Sequence, residues 1–339
     1  MRTLVLEAFG GPLLLQDRPV PEPGPGEVLL EVKACAVDQF DLKIRYGKVP
    51  HARVPLVLGH EVAGRVAGLG PGVTRWEVGQ RVTTTLYLTC GRCRHCRSGR
   101  ETICENFIGY LGIQTPGGYA EYTVVPEANL APLPEAISFA DGSILANAIG
   151  TPLHAFTKRM RLQPGERVII TGAGGGVGLH AVQLARVMGA RVMGVDLGPE
   201  KLEELRRQGA DLAVDGSDDF AEVAREWTQG QGVEGILELT GGATIPTSLR
   251  SLGKGGRLVI VGFHTGSEFT MQASQMVANE WEILGSRNVT KNELTQVIDL
   301  VAAGRVRPVV ADVSPLEEAE AIHERLARRE IVGRAVLEP

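Results

Sequence analysis

Val168-Ile-Ile-Thr-Gly-Ala-Gly-Gly-Gly-Val-Gly178 is the stretch on which the fold turns. A short apolar run ends in a cluster of glycines, and an amphipathic pattern from Gly176 to Met188 follows without a break. Strand, glycine turn and helix in this order form the first half of a βαβ unit. The glycines permit a tight turn and a close backbone approach to a ligand. The free amides at the helix start, helped by the helix dipole, suit a pyrophosphate. Gly174, Gly175, Gly176, Val177 and Gly178 are thus candidate cofactor-binding residues. The next strand, Arg191–Asp196, ends eighteen residues beyond Gly178. An acid there can accept hydrogen bonds from both adenosine ribose hydroxyls and repels a 2′-phosphate, so NAD(H) is expected over NADP(H). Lys201 is close enough in sequence to reach the same ribose, and Arg206 could soften the preference.

Outward from this unit, strand candidates recur at Leu212–Asp215, Gly235–Leu239, Gly256–Val261 and Trp281–Leu284, with amphipathic stretches between most of them. Continuous Val/Ile/Leu runs joined by helices imply a parallel sheet buried on both faces. The expectation is a doubly wound α/β sheet of about six strands. Residues before about 150 read differently: short alternating runs such as Glu27–Lys33 and Gly79–Leu86 lie between Pro and Gly turns. Val20–Gly26, with three prolines, is a stiff connector. After Ser286 come a helix (Lys291–Ala303), a strand (Pro308–Val313), a helix (Pro315–Leu326) and a strand (Gly333–Leu337), a tail expected to complete the first domain. The domains are therefore drawn as 1–149 with 287–339, and 150–286.

The chain has 339 residues, enough for two full-sized cores. Its net charge of −5 offers no basic excess for a phosphate backbone, and 5% aromatic content gives little to stack on bases, so nucleic acid is not an expected partner. No apolar run approaches the roughly 18–20 residues that span a bilayer. The N-terminal residues lack a basic segment followed by an apolar one, so neither export nor membrane insertion is expected and the cytoplasm is the expected location.

Four of the five cysteines lie together, Cys90-x2-Cys93-x2-Cys96-x7-Cys104. Four thiolates on one short loop can close a tetrahedral shell around Zn²⁺ and leave no position for water, which makes such a zinc structural. Arg92, Arg94, Arg97 and Arg100 would offset part of the negative charge. A disulfide pair is the competing reading, disfavoured without an export signal, and an iron–sulfur cluster a more remote one.

The glycine turn and the cysteine lobe, with Gly59-His60-Glu61, Gly117-Gly-Tyr-Ala-Glu-Tyr122 and Leu284-Gly-Ser-Arg287, resemble the zinc-containing medium-chain dehydrogenase/reductase family, the alcohol dehydrogenase group. The resemblance covers nearly the whole chain. It implies a GroES-like catalytic domain carrying the zinc lobe (about 88–106), a Rossmann domain, hydride transfer at the nicotinamide C4, a small-molecule substrate held between the domains, and a homodimer or homotetramer. By match to the family, Val261 and Gly262 would line the nicotinamide and Arg334 would approach the pyrophosphate. Ala173 stands where alcohol dehydrogenases often carry the first glycine, a form similar to that of the quinone and enoyl reductases.

The resemblance also implies a catalytic zinc site, and there the chain departs from the pattern. The first ligand position is Asp38 in Cys35-Ala-Val-Asp-Gln-Phe-Asp41, the second is His60, and the third falls at Asn147, a neutral amide. Asp38, His60, Glu61 and a water would make a chemically acceptable open zinc site, with Asp41 orienting the imidazole. Alternatively the site is metal-free, as in quinone and enoyl reductases such as those of acryloyl-CoA, with hydrogen bonds in place of a Lewis acid. Phe40 and Lys43 occupy positions where the family often has a proton relay. Asp38, His60, Glu61 and Asn147 are the candidate catalytic residues under either reading; a nucleotide-binding protein with a decayed pocket is a third. Cys35 is read as a buried apolar residue. His51, His95, His154, His180, His264 and His323 are read mostly as surface or helix-end residues, and Glu317–Arg329 as a solvated helix face.

Overall fold

A computed structural model describes residues 1–339. The chain divides into two units, Met1–Asn147 with Val289–Ala303 and Pro308–Pro339, and Ala148–Asn288 with Gly304–Arg307. The division thus falls two residues before the expected boundary, and Gly304–Arg307 goes with the second unit.

The first unit is built on a seven-stranded sheet. Its order runs Val310–Pro315, Arg334–Glu338, Glu27–Val37, Glu61–Leu69, Arg81–Thr84, Leu130–Pro132, with Tyr122–Pro126 also paired to Glu27–Val37. Alternation along Glu27–Val37 buries Val28, Leu30 and Val32 and half-exposes the residues between them, as a strand with one buried face requires. The register Ala335↔Val37 and Ala36↔Glu61 sets the C-terminal strand, the end of Glu27–Val37 and the start of Glu61–Leu69 side by side. The tail therefore closes the sheet and adds Leu316, Ile322, Leu326 and Leu337 to its core. Along Glu317–Arg329, read as a solvated helix face, Glu317, Glu324 and Arg328 are exposed, and Ala319, Ile322, His323 and Leu326 form the buried stripe opposite.

The second unit holds a six-stranded sheet, every pairing parallel, in the order Leu212–Asp215, Arg191–Asp196, Arg167–Thr171, Val233–Glu238, Leu252–Ile260, Glu282–Gly285. This is the doubly wound order, reversing between the strands at Arg167–Thr171 and Val233–Glu238. Val168, Ile169 and Ile170 are wholly buried, which explains their unbroken apolar run. A helical segment over residues 139–160, absent from the sequence reading, includes wide π-helical turns at Leu145–Ile149 and Ala155–Met160. Such turns have no periodicity of their own to betray them.

Candidate active site and zinc lobe

At the end of the strand Arg167–Thr171, the helix Gly176–Val187 begins with Gly175 as its cap residue, no side-chain cap and no acid in its first turn. Its leading amides are free for an anion. Gly178 cannot be replaced without displacement: a Cβ there would sit 2.4 Å from the Gly172 carbonyl oxygen and 2.5 Å from Ala173 Cα. Asp196 accepts from Gly174 N at 2.8 Å and Leu197 N at 2.7 Å, with Lys201 Nζ 3.4 Å away. The acid is thus held against the turn that the sequence places beside it.

Sequence reasoning missed Glu238. Its wholly buried carboxylate accepts from Thr171 Oγ1 (2.6 Å), Thr240 N (2.9 Å), Gly241 N (3.0 Å), Thr244 Oγ1 (2.8 Å) and Ser248 Oγ (2.8 Å). Its carbonyl oxygen accepts from Val261 N and Gly262 N. One residue therefore ties the strand end before the glycine turn to the segment that follows its own strand and to the loop after Leu252–Ile260. A lone acid at the end of an apolar strand was the only available signal.

In the first unit, Asp38 caps the helix Gln39–Arg45 through Oδ1, which accepts from Phe40 N and Asp41 N, and Asp41 returns a bond to Asp38 N. His60 Nδ1 lies 3.2 Å from Asp41 Oδ1, and Phe40 meets the ring edge-on at 5.6 Å between centroids. The backbone at Gly59 has φ +93°, and a Cβ there would be 2.5 Å from the Tyr119 ring and 2.6 Å from Cys35 Sγ, so only glycine can precede His60. Cys35 is wholly buried. Asn147 Nδ2 donates to Asp38 Oδ2 (3.0 Å) and Glu61 Oε1 (2.8 Å) and lies 3.4 Å from His60 Nε2. The structure thus brings Asp38, His60, Glu61 and Asn147 together.

Arg334 joins this cluster. Its guanidinium, expected at a pyrophosphate, is buried with Nη2 3.2 Å from Asp38 Oδ2 and 2.8 Å from Glu61 Oε1. The strand register places it there: Ala335 faces Val37, so Arg334 comes beside Asp38. Burial and the Asp38 charge raise the Glu61 carboxyl, Arg334 and His60 oppose them, and it settles at about 7. Burial works against ionisation of Asp38, yet His60 and Arg334 hold it well below the usual carboxylate range. Burial also disfavours the charged His60 ring, but Asp41 and Asp38 outweigh it and raise the imidazole well above its ordinary value.

By distance alone Asp38, Asp41 and His60 could surround an ion, their ligand atoms lying within 4.8 Å of one another. The donor set argues otherwise. Asp38 Oδ2 and Glu61 Oε1 already face Arg334 Nη2 and Asn147 Nδ2, while the buried Glu61 Oε2 has no hydrogen-bond partner. A divalent ion there would meet the repulsion of the guanidinium as well as the attraction of Asp38, Asp41 and Glu61, and it would have to displace Arg334 Nη2 and Asn147 Nδ2 from the two oxygens. The cluster does not fit a metal while Arg334 stays in place.

The cysteine lobe does fit one. Sγ of Cys104 lies 3.5 Å from that of Cys90 and 3.9 Å from that of Cys93, and all four sulfurs lie within 4.8 Å. Zinc–sulfur bonds of about 2.3 Å imply sulfur separations of about 3.8 Å around a tetrahedron. Backbone amides of Arg92 and Cys93 pull the Cys90 thiol down to about 6, while burial and the sulfurs of Cys93 and Cys104 push Cys96 up to about 12. Four sulfurs this close repel one another as thiolates, which a divalent cation relieves. Glu101 Oε1 accepts from Lys291 N at 2.6 Å, anchoring the lobe to the helix Lys291–Ala302 of the same unit.

Of the histidines read mostly as surface or helix-end residues, three are buried: His154, which ends the helix Gly150–His154, and His180 and His323, which lie within helices. The His180 ring bonds to the Gly176 carbonyl within its own helix, and His323 Nε2 lies 3.0 Å from Tyr119 Oη. An imidazole with one hydrogen bond is small and apolar enough to pack, so sequence alone does not distinguish it from a surface group.

No helix is long and apolar enough to cross a membrane. Residues 24–135 match the alcohol dehydrogenase GroES-like domain and residues 176–303 the zinc-binding dehydrogenase domain. An alcohol dehydrogenase of Geobacillus stearothermophilus is 36% identical over 99% of this chain and 99% of its own length. An acryloyl-coenzyme A reductase of Metallosphaera sedula is 33% identical over 94% of this chain and 93% of its own. A solved NAD-dependent alcohol dehydrogenase superposes with a TM-score of 0.94 at 34% identity, covering 100% of both chains.

Proposed function

The chain belongs to the zinc-containing medium-chain dehydrogenase/reductase family, as an NAD(P)-dependent oxidoreductase of the alcohol dehydrogenase type, and from that premise we propose that it moves a hydride between NAD(H) and a small carbonyl or alcohol. The observation that carries this reading is the uncapped helix start at Gly175–Gly176 with the Asp196 carboxylate held against Gly174. When bound, the nicotinamide gives or takes the hydride at C4. The amides of Gly176–Gly178 would hold the diphosphate on the turn shaped by Gly174 and Gly175, and Asp196 with Lys201 the adenosine ribose, where the charge of Asp196 disfavours a 2′-phosphate. Val261 and Gly262, held by the Glu238 carbonyl, would line the nicotinamide. Cys90, Cys93, Cys96 and Cys104 would hold one zinc that shapes the lobe and takes no part in the reaction. A homodimer or homotetramer is the assembly proposed.

A second reading concerns the substrate. Arg334 on Asp38 Oδ2 and Glu61 Oε1 favours a site that works without a Lewis acid. A carbonyl already activated by conjugation needs none: hydride adds at the β-carbon of an enone, quinone or enoyl thioester and a proton follows at the α-carbon. Steady-state assays with NADH and NADPH across alcohols, aldehydes, enones and enoyl thioesters test both readings. Turnover confined to conjugated acceptors selects the second, turnover of simple alcohols or aldehydes the first, and none with any substrate refutes both.

A further inference from the structure

We propose that Arg334 is the built-in cation of the Asp38–His60–Glu61 cluster and excludes a metal from it, so that the four cysteines carry the only zinc of this chain. The inference deepens the second reading above and rests on it for its catalytic meaning, but its evidence is separate.

Backbone register across three neighbouring strands sets these residues side by side. Ala36 pairs with Glu61 and Val37 with Ala335, which brings Asp38, Glu61 and Arg334 to one end of the sheet. Asp38 is further locked because its Oδ1 caps the helix Gln39–Arg45. Only its Oδ2 remains for a cation, and Arg334 Nη2 shares that oxygen with Asn147 Nδ2. Glu61 Oε1 is held by the same two donors. Arg334 is 6% exposed and Glu61 1%, and the remaining polar atoms Glu61 Oε2 and Arg334 Nε are buried without a hydrogen-bond partner. A guanidinium cannot lose its proton within proteins, so its positive charge persists where a bound metal could be lost. Asn147, the neutral residue at the third ligand position, adds donors in place of a lone pair. Asp38 Oδ2 and Glu61 Oε1 are thus met by hydrogen-bond donors of this chain where a zinc-ligand set would offer them to an ion.

The test counts metal and does not depend on turnover. Wild type, Cys104→Ser, Arg334→Met and Arg334→Lys are dialysed against zinc, freed of loose ion, and analysed by mass spectrometry for zinc per chain. Cobalt substitution with absorption spectroscopy reports whether thiolates or nitrogen and oxygen ligands hold the ion. The expected counts are about one for wild type and Arg334→Lys, about zero for Cys104→Ser, and about two for Arg334→Met, whose second cobalt lacks thiolate charge-transfer bands. Two ions in wild type, or one that survives Cys104→Ser and whose cobalt form lacks thiolate charge-transfer bands, would overturn the proposal. So would a folded Arg334→Met that gains no second ion. If Arg334→Met does not fold, wild type and Cys104→Ser still decide where zinc resides. Failure of the substrate reading leaves these counts unchanged, and a second zinc leaves the hydride assay to stand alone.

Discussion

Acidification is expected to weaken the first unit through one imidazole, that of His323. The ring is 1% exposed, its Nδ1 has no hydrogen-bond partner, and its Nε2 meets Tyr119 Oη at 3.0 Å. Burial disfavours the charged ring and Arg45 adds to the effect; Asp41, Glu320 and Asp38 oppose them, and the result is a value lowered from 6.5 to about 4. The sign follows from proton counting. Between about pH 6.5 and about pH 4 the unfolded chain protonates this histidine while the folded chain does not, so falling pH favours unfolding. A separation of about 2.5 pH units at about 1.4 kcal/mol each gives a loss of about 3 kcal/mol, complete below about pH 4 and absent above about pH 7.5. His323→Gln keeps a polar partner for Tyr119 and does not titrate. Urea unfolding of both proteins from pH 8 to pH 4, with zinc held constant, isolates the term, because other titrating groups cancel in the difference. The variant is expected to be the less stable at neutral pH and to gain about 3 kcal/mol on wild type by about pH 4. Parallel stability curves, or a His323 ring resonance that titrates near its ordinary value, would refute the reasoning.

Gly178→Ala places a methyl group against the backbone of Gly172 and Ala173, which cannot rotate aside. It should cost about 1–3 kcal/mol and weaken NADH binding at least about tenfold, read by cofactor fluorescence. Asp196→Asn keeps an acceptor for Gly174 N but removes the charge. The ratio of kcat/KM with NADP(H) to that with NAD(H) should rise about tenfold or more, and an unchanged ratio would remove this acid from cofactor choice. Thr290 and Glu293 form a reciprocal cap on the helix Lys291–Ala302. Thr290→Ala should cost about 1 kcal/mol by chemical denaturation without changing zinc content.

The second unit was largely legible in the sequence. Arg167–Thr171, Arg191–Asp196 and Leu212–Asp215 are strands with the bounds read from their apolar runs, because strands buried on both faces exclude polar residues along their length. Helix starts, the glycine turn and the cysteine spacing are equally local, each declared within about twenty residues. The strand Leu252–Ile260 was read to begin only at Gly256, since Gly253, Lys254 and Gly255 do not look like strand. The candidate site was legible in parts: Asp38, His60, Glu61 and Asn147 stand at readable positions, but nothing near residue 334 announces what its guanidinium meets. The partners of Arg334, the Glu238 hub and the burial of His323 depend on strand register and helix packing between residues far apart in the chain. Local pattern records which face of an element is buried; only the closed sheet decides which side chain lies opposite, because a charge in the interior must be matched by whichever neighbour the pairing delivers.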